Sequence, residues 1–328
     1  MRLIIIEKPN YISLLTKGNL ITEDTEIVCT SSIGLWIHSL RKLKFSDIPF
    51  TEDPDLLIPN PHNNHIPHFN FTTGSILNDF MGLDSLLSHL RSNINKYEEI
   101  ICMPDIDRRG CESVQQLLNQ IGSSSNSNTY FIESISTDLP SISRAWKTRE
   151  TNLWERNELV QRLIREQQLK KTFDYWWNSN SKLVFSELCK MSGLECQSIL
   201  SKYELMLIVA LGKYQKPIGI DNLLSIMTNW KGSGKYQTKS NQIGSLISRM
   251  KIIENACGRG AISKDNLTGL YSLSESGLCF LAKLHSRTFD PDLPARLENW
   301  ISQLDYSAMK KYIRTLFGRQ LRYQRKTN

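Results

Sequence analysis

None of the seven cysteines stands in a Cys-x-x-Cys pair. Cys29, Cys102, Cys111, Cys189, Cys196, Cys257 and Cys279 are scattered, and only Cys189 and Cys196 lie close together. With no second pair they complete no cysteine-based zinc site, and an odd count without framework spacing excludes a disulfide scaffold. The thiols read as reduced apolar fillers of a cytoplasmic protein. Long hydrophobic runs are also missing at the start. Leu3-Ile4-Ile5-Ile6 is followed at once by Glu7-Lys8-Pro9, whereas a membrane span needs ~18 apolar residues and a secretory leader would not end this way. No membrane partner is expected.

What is present suits a globular chain. Of its 328 residues, 40% are hydrophobic and 22% charged, a composition and length for two or three domains. The formal net charge of +7 and a pI near 9.0 favour a polyanionic partner, nucleic acid above all.

The first half alternates strand and helix patterns. Residues 3–6 and 26–29 read as buried strands. Residues 46–73, rich in Pro, Asn and His, read as a surface excursion. Phe80, Leu83, Leu86, Leu87, Leu90 and Ile94 have helical spacing, predicting a helix over 78–95. Residues 100–103 form a further strand, followed by a helix over 110–121, a polar loop over 123–128 and a last strand over 129–132. This order implies an α/β domain with a Rossmann-like parallel sheet.

Ligands bind at the carboxyl ends of parallel strands. Glu7 ends the first strand here, and Asp105 and Asp107 follow the third. Three carboxylates brought together repel one another without a cation, and an all-oxygen set suits Mg²⁺ or Mn²⁺ with a phosphate as further ligand. Lys8 and Arg108 flank the acids and are candidates for that phosphate. Asp-x-Asp is also common in turns and at helix caps.

These residues carry a family resemblance. Ile4-Ile5-Ile6-Glu7-Lys8-Pro9 resembles the first strand of a type IA DNA topoisomerase, in particular its topoisomerase III branch. Cys102-Met103-Pro104-Asp105-Ile106-Asp107-Arg108-Arg109-Gly110 is similar to the acidic Asp-Pro-Asp-Arg-Glu-Gly motif of that family's TOPRIM domain. Ser31-Ser32-Ile33-Gly34 and the segment 135–146 resemble the end of its second strand and its exit. The helix over 153–177 resembles the start of the adjoining helical domain, with Asp174 in the place of an Asp there. The resemblance implies a TOPRIM domain over 1–148, a helical linker domain over 149–200, and Mg²⁺ held by Glu7, Asp105 and Asp107. Arg109 stands where the family has a third acid, and Cys111 stands at its next acidic position. Glu112 is one residue out, about 100° round the helix. The acidic set is therefore shortened, and one metal is expected rather than two. The motif is also similar to that of bacterial primases and small TOPRIM nucleases.

The second half reads as three helices (202–211, 220–230, 240–250), a strand from 252 and a turn at Gly258-Arg259-Gly260. A strand over 269–273 follows, then a helix capped at Ser274. That order is a winged helix over 201–287, followed by a basic amphipathic helix within 288–328. Ile243, Leu246, Ile247 and Met250 are expected inward. Lys239, Asn241, Gln242, Ser245, Ser248 and Arg249 are the expected groove-facing residues, with Arg259 and Lys264 on the wing. The chain also contains Tyr312-Ile313-Arg314-Thr315, similar to the family's Tyr-x-Arg-Thr around its nucleophilic tyrosine. Here it lies inside the terminal amphipathic helix. The stretch between Leu188 and Ser201 is too short for the family's tyrosine domain, since a domain needs at least ~50 residues.

Three functions remain open at this level. One is a Mg²⁺-dependent TOPRIM nuclease without strand passage. Another is a DNA-binding subunit that acts with a protein partner. The third is a minimal topoisomerase using Tyr312. His62, His65 and His68, three residues apart, are a weaker metal candidate because Pro61 and Pro67 oppose a helix there.

Overall fold

The computed structural model describes the chain except residues 34, 56, 61–65, 73–74, 124–127, 134–137, 197, 215, 236–241 and 328. It divides into two compact units, Met1–Ser39 with Asp55–Gln168, and Leu40–Pro54 with Leu169–Asn328. The expected helical piece 149–200 thus falls partly in each.

The strands of the first unit are β1 (Arg2–Ile6), β2 (Thr25–Cys29), β3 (Leu35–Ile37), β4 (Ile58–Asn60), β5 (Ile66–Thr72), β6 (Ser75–Met81), β7 (Glu99–Met103) and β8 (Thr129–Phe131). The helices are α1 (Asn10–Lys17), α2 (Thr30–Ile33), α3 (Leu83–Asn93), α4 (Arg108–Ile121), α5 (Leu139–Lys147) and α6 (Glu158–Met191), which runs on past the boundary. Six strands form one sheet in the order β6-β5-β2-β1-β7-β8. Its centre is parallel: β1 pairs with β2 on one side and β7 on the other, and β7 pairs with β8. β5 and β6 are antiparallel additions at one edge.

The aliphatic run in β1 follows from burial on both faces. Leu3 and Ile5 pack with Leu86 and Leu90 of α3 and Val114 and Leu117 of α4. Ile4 and Ile6 pack with Tyr11 and Leu15 of α1 and Ile142 and Trp146 of α5. Each fully buried aliphatic side chain contributes about 1.5–3 kcal/mol. The result is a mixed α/β unit with a largely parallel sheet, compatible with a Rossmann-like domain.

Two expectations need correction here. The Pro/Asn/His excursion contains β4 and β5, and residues 78–81 belong to β6, so α3 begins only at Leu83. Pro67 lies within β5 opposite Phe80. A proline inside a run argues against a strand, and Phe80, counted as an inward helix position, is exposed.

The second unit contains α7 (Lys202–Leu211), α8 (Ile220–Thr228), α9 (Leu246–Gly258), β9 (Ile262–Lys264), β10 (Tyr271–Leu273), α10 (Glu275–Ala282), α11 (Leu293–Ser302) and α12 (Tyr306–Thr327). Ser201 and Ser274 cap α7 and α10 by accepting the N–H groups of Glu204 and Gly277. β9 and β10 form an antiparallel hairpin, and Ile218 bridges to Tyr271 beside it. Three helices precede the hairpin, but the third is displaced along the chain. Residues 252–254, expected as a strand, lie inside α9.

The buried face of α9 is Arg249, Ile252, Ile253 and Ala256. Leu246 and Ile247, expected inward, are 79% and 93% exposed, while Ile243 is buried ahead of the helix. The segment carries two overlapping apolar stripes, and packing against Leu207 and Ala210 of α7 selects the later one. A second core joins Phe173, Trp177 and Phe185 of α6 to Ile313 and Phe317 of α12. Trp176 and Trp177 are core residues whose indole N–H groups donate to the carbonyls of Glu52 and Leu200. Among the described residues, no helix is long and apolar enough to cross a membrane.

Candidate functional site

Glu7 follows the last residue of β1, and Asp105 lies two residues beyond β7. Because β1 and β7 pair in parallel with Ile6 opposite Met103, the two carboxylates leave the sheet side by side. Glu7 N–H donates to Met103 O at 3.3 Å, and Glu7 Oε2 accepts from the Asp105 N–H at 2.9 Å. Asp107 is the N-cap of α4, its Oδ1 accepting from Gly110 N–H at 2.8 Å. Gly110 is the residue that lets α4 approach. A Cβ there would lie under 3.0 Å from both Asp105 O and Glu7 Oε2.

The acids form one electrostatic group. Burial raises the Glu7 carboxyl above its ordinary range, the Asp105 backbone hydrogen bond opposes this, and the charges of Asp105 and Asp107 add to the rise. Lys8 donates through Nζ to Asp105 Oδ2, and Tyr11 OH donates to Asp105 Oδ1 at 3.3 Å. The ammonium on Asp105 marks this as a place for positive charge. The oxygen-only donor set fits a hard cation. It is also a spread-out set: among the described residues, it is not Glu7, Asp105 and Asp107 but a different trio whose ligand atoms all lie within 4.8 Å of one another. Mg²⁺ takes one or two carboxylates directly and retains waters, so in this arrangement the remaining acid would reach the ion through a water.

The flanking positions differ in their availability. Arg108, expected at a phosphate, donates through Nε to Glu166 Oε2 at 2.7 Å, and Glu166 is also held by Arg162 at 2.9 Å. Arg109 is exposed, while Cys111 and Glu112 are buried on the inner side of α4. Burial pushes the Cys111 thiol to about 12, so it stays protonated and offers no thiolate.

In the second unit, Lys239 and Asn241 lie outside the described residues. Gln242 accepts from Arg249 at 2.6 Å, and Ser245 is exposed as the N-cap of α9, with its hydroxyl 3.0 Å from that of Ser248. Arg249 and Arg259 are corrections to the sequence reading, being only 4% and 3% exposed. Arg259 donates to Glu204 Oε1 at 2.6 Å and to the carbonyls of Glu195 and Ser198. Its guanidinium is thus committed to the interior. Lys264 is exposed, with its ammonium 5.7 Å from the Tyr271 ring.

Tyr312 packs its ring against Trp300 at 5.4 Å and Phe173 at 6.2 Å. Its hydroxyl is buried and takes no hydrogen bond among the described residues. Burial holds the phenol well above its ordinary range, which opposes the phenolate a nucleophile requires.

The sequence reading missed one constellation. Glu26 of β2, His68 of β5 and His89 of α3 are the trio whose ligand atoms all lie within 4.8 Å of one another. His62 and His65 lie outside the described residues. His68 was read only as a weak metal candidate with His62 and His65, and nothing in the sequence linked it to positions 42 residues before and 21 residues after it.

No family model matches the sequence, and no curated protein matches it. Among solved structures, the chain is similar to full-length topoisomerase I from Thermotoga maritima, with a TM-score of 0.39 and 13% identity over 98% of this chain. It spans 61% of the length of that structure.

Proposed function

We propose that the chain is a TOPRIM-type, topoisomerase IA-like DNA-binding protein whose Glu7, Asp105 and Asp107 hold one Mg²⁺ (or Mn²⁺) beside a backbone phosphate. The observation that carries this is the meeting of Glu7 and Asp105 at the carboxyl ends of two paired parallel strands, closed by Gly110 of α4. When bound, the metal would supply a polarised phosphate oxygen and a water of lowered pKa. The Glu7 carboxylate is held by the Asp105 backbone N–H, the Asp105 carboxylate by Lys8 and Tyr11, and Asp107 keeps one oxygen outside its cap bond. Lys8, now on Asp105, is the cation placed to pass to an incoming phosphate oxygen. The activity proposed is phosphodiester cleavage without strand passage, because the only tyrosine in the right motif has a buried hydroxyl.

The hairpin unit is proposed as a winged helix that adds affinity for nucleic acid, with Lys239, Asn241, Gln242, Ser245 and Lys264 as its contacts. The net charge of +7 supports this reading. A cytoplasmic location is proposed with it.

The test is incubation with supercoiled plasmid and Mg²⁺ or Mn²⁺, read on an agarose gel. Nicked or linear DNA is expected, and Glu7→Gln or Asp105→Asn should abolish it. Binding without conversion would instead mark a DNA-binding subunit that needs a protein partner. Cleavage that survives both substitutions would overturn the site.

A further inference from the structure

From Glu26, His68 and His89 we infer a second metal site, for a transition-metal ion of the Zn²⁺ type. It is separate from the acidic strand ends and independent of the function proposed for them.

The fold brings these residues together from three elements. In the register of β2 and β5, Val28 faces His68 and Glu26 faces Asn70. Glu26 and His68 are therefore diagonal neighbours on one face of the sheet. α3 covers that face with Leu86, Leu87 and Leu90 buried, and its His89 arrives at the same point. His68 Nε2 lies 3.2 Å and His89 Nε2 3.0 Å from the same oxygen, Glu26 Oε2. The imidazole rings are 5.1 Å apart at 65°, so their nitrogens converge while their faces do not stack.

Those separations match the edges of a coordination tetrahedron. With metal–ligand bonds of about 2.0–2.2 Å, neighbouring ligand atoms lie about 3.3 Å apart. Two imidazole nitrogens and one carboxylate oxygen are the donors of a borderline ion such as Zn²⁺, not of Mg²⁺. Three protein ligands leave a fourth position for water.

Part of a supporting shell is in place around the cluster. Tyr97 OH donates to Glu26 Oε2 at 2.7 Å and fixes that carboxylate, while Asn93 Nδ2 donates to the His89 carbonyl at 3.1 Å and lies 3.4 Å and 3.3 Å from the Nδ1 and Nε2 of the His89 ring. His68 is fully buried, and its Nδ1 has no partner among the described residues. The ring's polar contact is thus its Nε2, aimed into the cluster. His89 is 30% exposed, which gives the ion a way in. Glu26 pairs with Leu3 near the start of β1, whereas Glu7 follows its end. At about 3.3 Å per residue the two sites are ~13 Å apart along the strand. A cation here would clamp β2, β5 and α3 together at the antiparallel side of the sheet.

The test uses the full chain, purified without a histidine tag and stripped by chelator. After exposure to Zn²⁺ and gel filtration, metal analysis should find one Zn²⁺ per chain. Co²⁺ in its place should give the visible absorption of a tetrahedral site. His89→Gln changes a partly exposed residue, so the fold should persist by circular dichroism while Zn²⁺ affinity falls at least roughly tenfold. His68→Gln should act the same way, and Glu7→Gln should leave Zn²⁺ binding unchanged. If the wild-type chain retains no Zn²⁺, or if His89→Gln binds it equally well, the trio is a hydrogen-bonded cluster and the inference is wrong.

Discussion

Glu7 Oε2 receives the Asp105 backbone N–H at 2.9 Å, and the Cα of Gly110 closes the corner beside both. Gly110→Ala tests that corner. Alanine is the better helix former by about 1 kcal/mol. The added Cβ, however, meets the Asp105 carbonyl and the Glu7 carboxylate under 3.0 Å, and overpacking of this kind costs about 1–3 kcal/mol. Net destabilisation is expected in urea unfolding, together with weaker Mg²⁺ binding. Gly122→Ala is the control. It has open space but a φ of +79°, so it should lower stability without touching Mg²⁺.

A second network predicts the acid limb of stability. Arg2 and Arg149 each donate to Glu99 at 2.7 Å, and both guanidinium groups lie over the Trp146 ring at 5.8 and 5.5 Å. Burial acts to raise Glu99, but the bonds from Arg149 and Arg2 outweigh it and hold the carboxyl below its ordinary 4.5. A lowered folded-state value stabilises above the unfolded value and is lost as pH falls through the folded one. The network should therefore contribute fully above about pH 4.5 and fade below it. Glu99→Gln should cost about 1–2 kcal/mol near neutrality, with partial exposure discounted, and should flatten the decline. Urea midpoints between pH 6 and 3 would read this directly; an unchanged acid limb would count against it.

What the sequence made legible was local. The strand at residues 3–6, the helix over 202–211 and the cap at Ser274 each follow from a few adjacent residues, and the structure has them. What it hid depended on pairing. The strand β5 carries Pro67, and its place between β2 and β6 is fixed by partners distant in sequence. The face of α9 was ambiguous because both 243/246/247/250 and 249/252/253/256 have helical spacing. The acidic residues stood out because they follow strands. Glu26 and His89 did not, since each sits inside an ordinary strand or helix pattern.

Arg259 offers a sharp contrast between structural and nucleic-acid roles. It is buried against Glu204, which is 1% exposed, and makes bonds to Glu195 O and Ser198 O as well. Removing one member of a buried pair leaves the other uncompensated, at about 3–5 kcal/mol. Arg259→Met should therefore destabilise strongly, and adding Glu204→Leu should recover part of the loss. Lys264→Ala should do the reverse, leaving stability intact while reducing the salt dependence of DNA binding by about one phosphate contact. Thermal melts and fluorescence anisotropy at several salt concentrations would separate the two.

Tyr312→Phe bears on the choice between hydrolysis and strand passage. The ring contacts with Trp300 and Phe173 survive the substitution, and the hydroxyl that is removed has no hydrogen-bond partner among the described residues. Removing an unsatisfied buried hydroxyl relieves a desolvation cost of about 1–3 kcal/mol, so stability should hold or rise. Plasmid cleavage should also be unchanged, because the phenol is kept neutral by burial and the proposed reaction uses the acidic strand ends instead. Loss of DNA conversion in Tyr312→Phe, at undiminished melting temperature, would instead require the helix α12 to expose that hydroxyl during the reaction and would restore the tyrosine as the nucleophile.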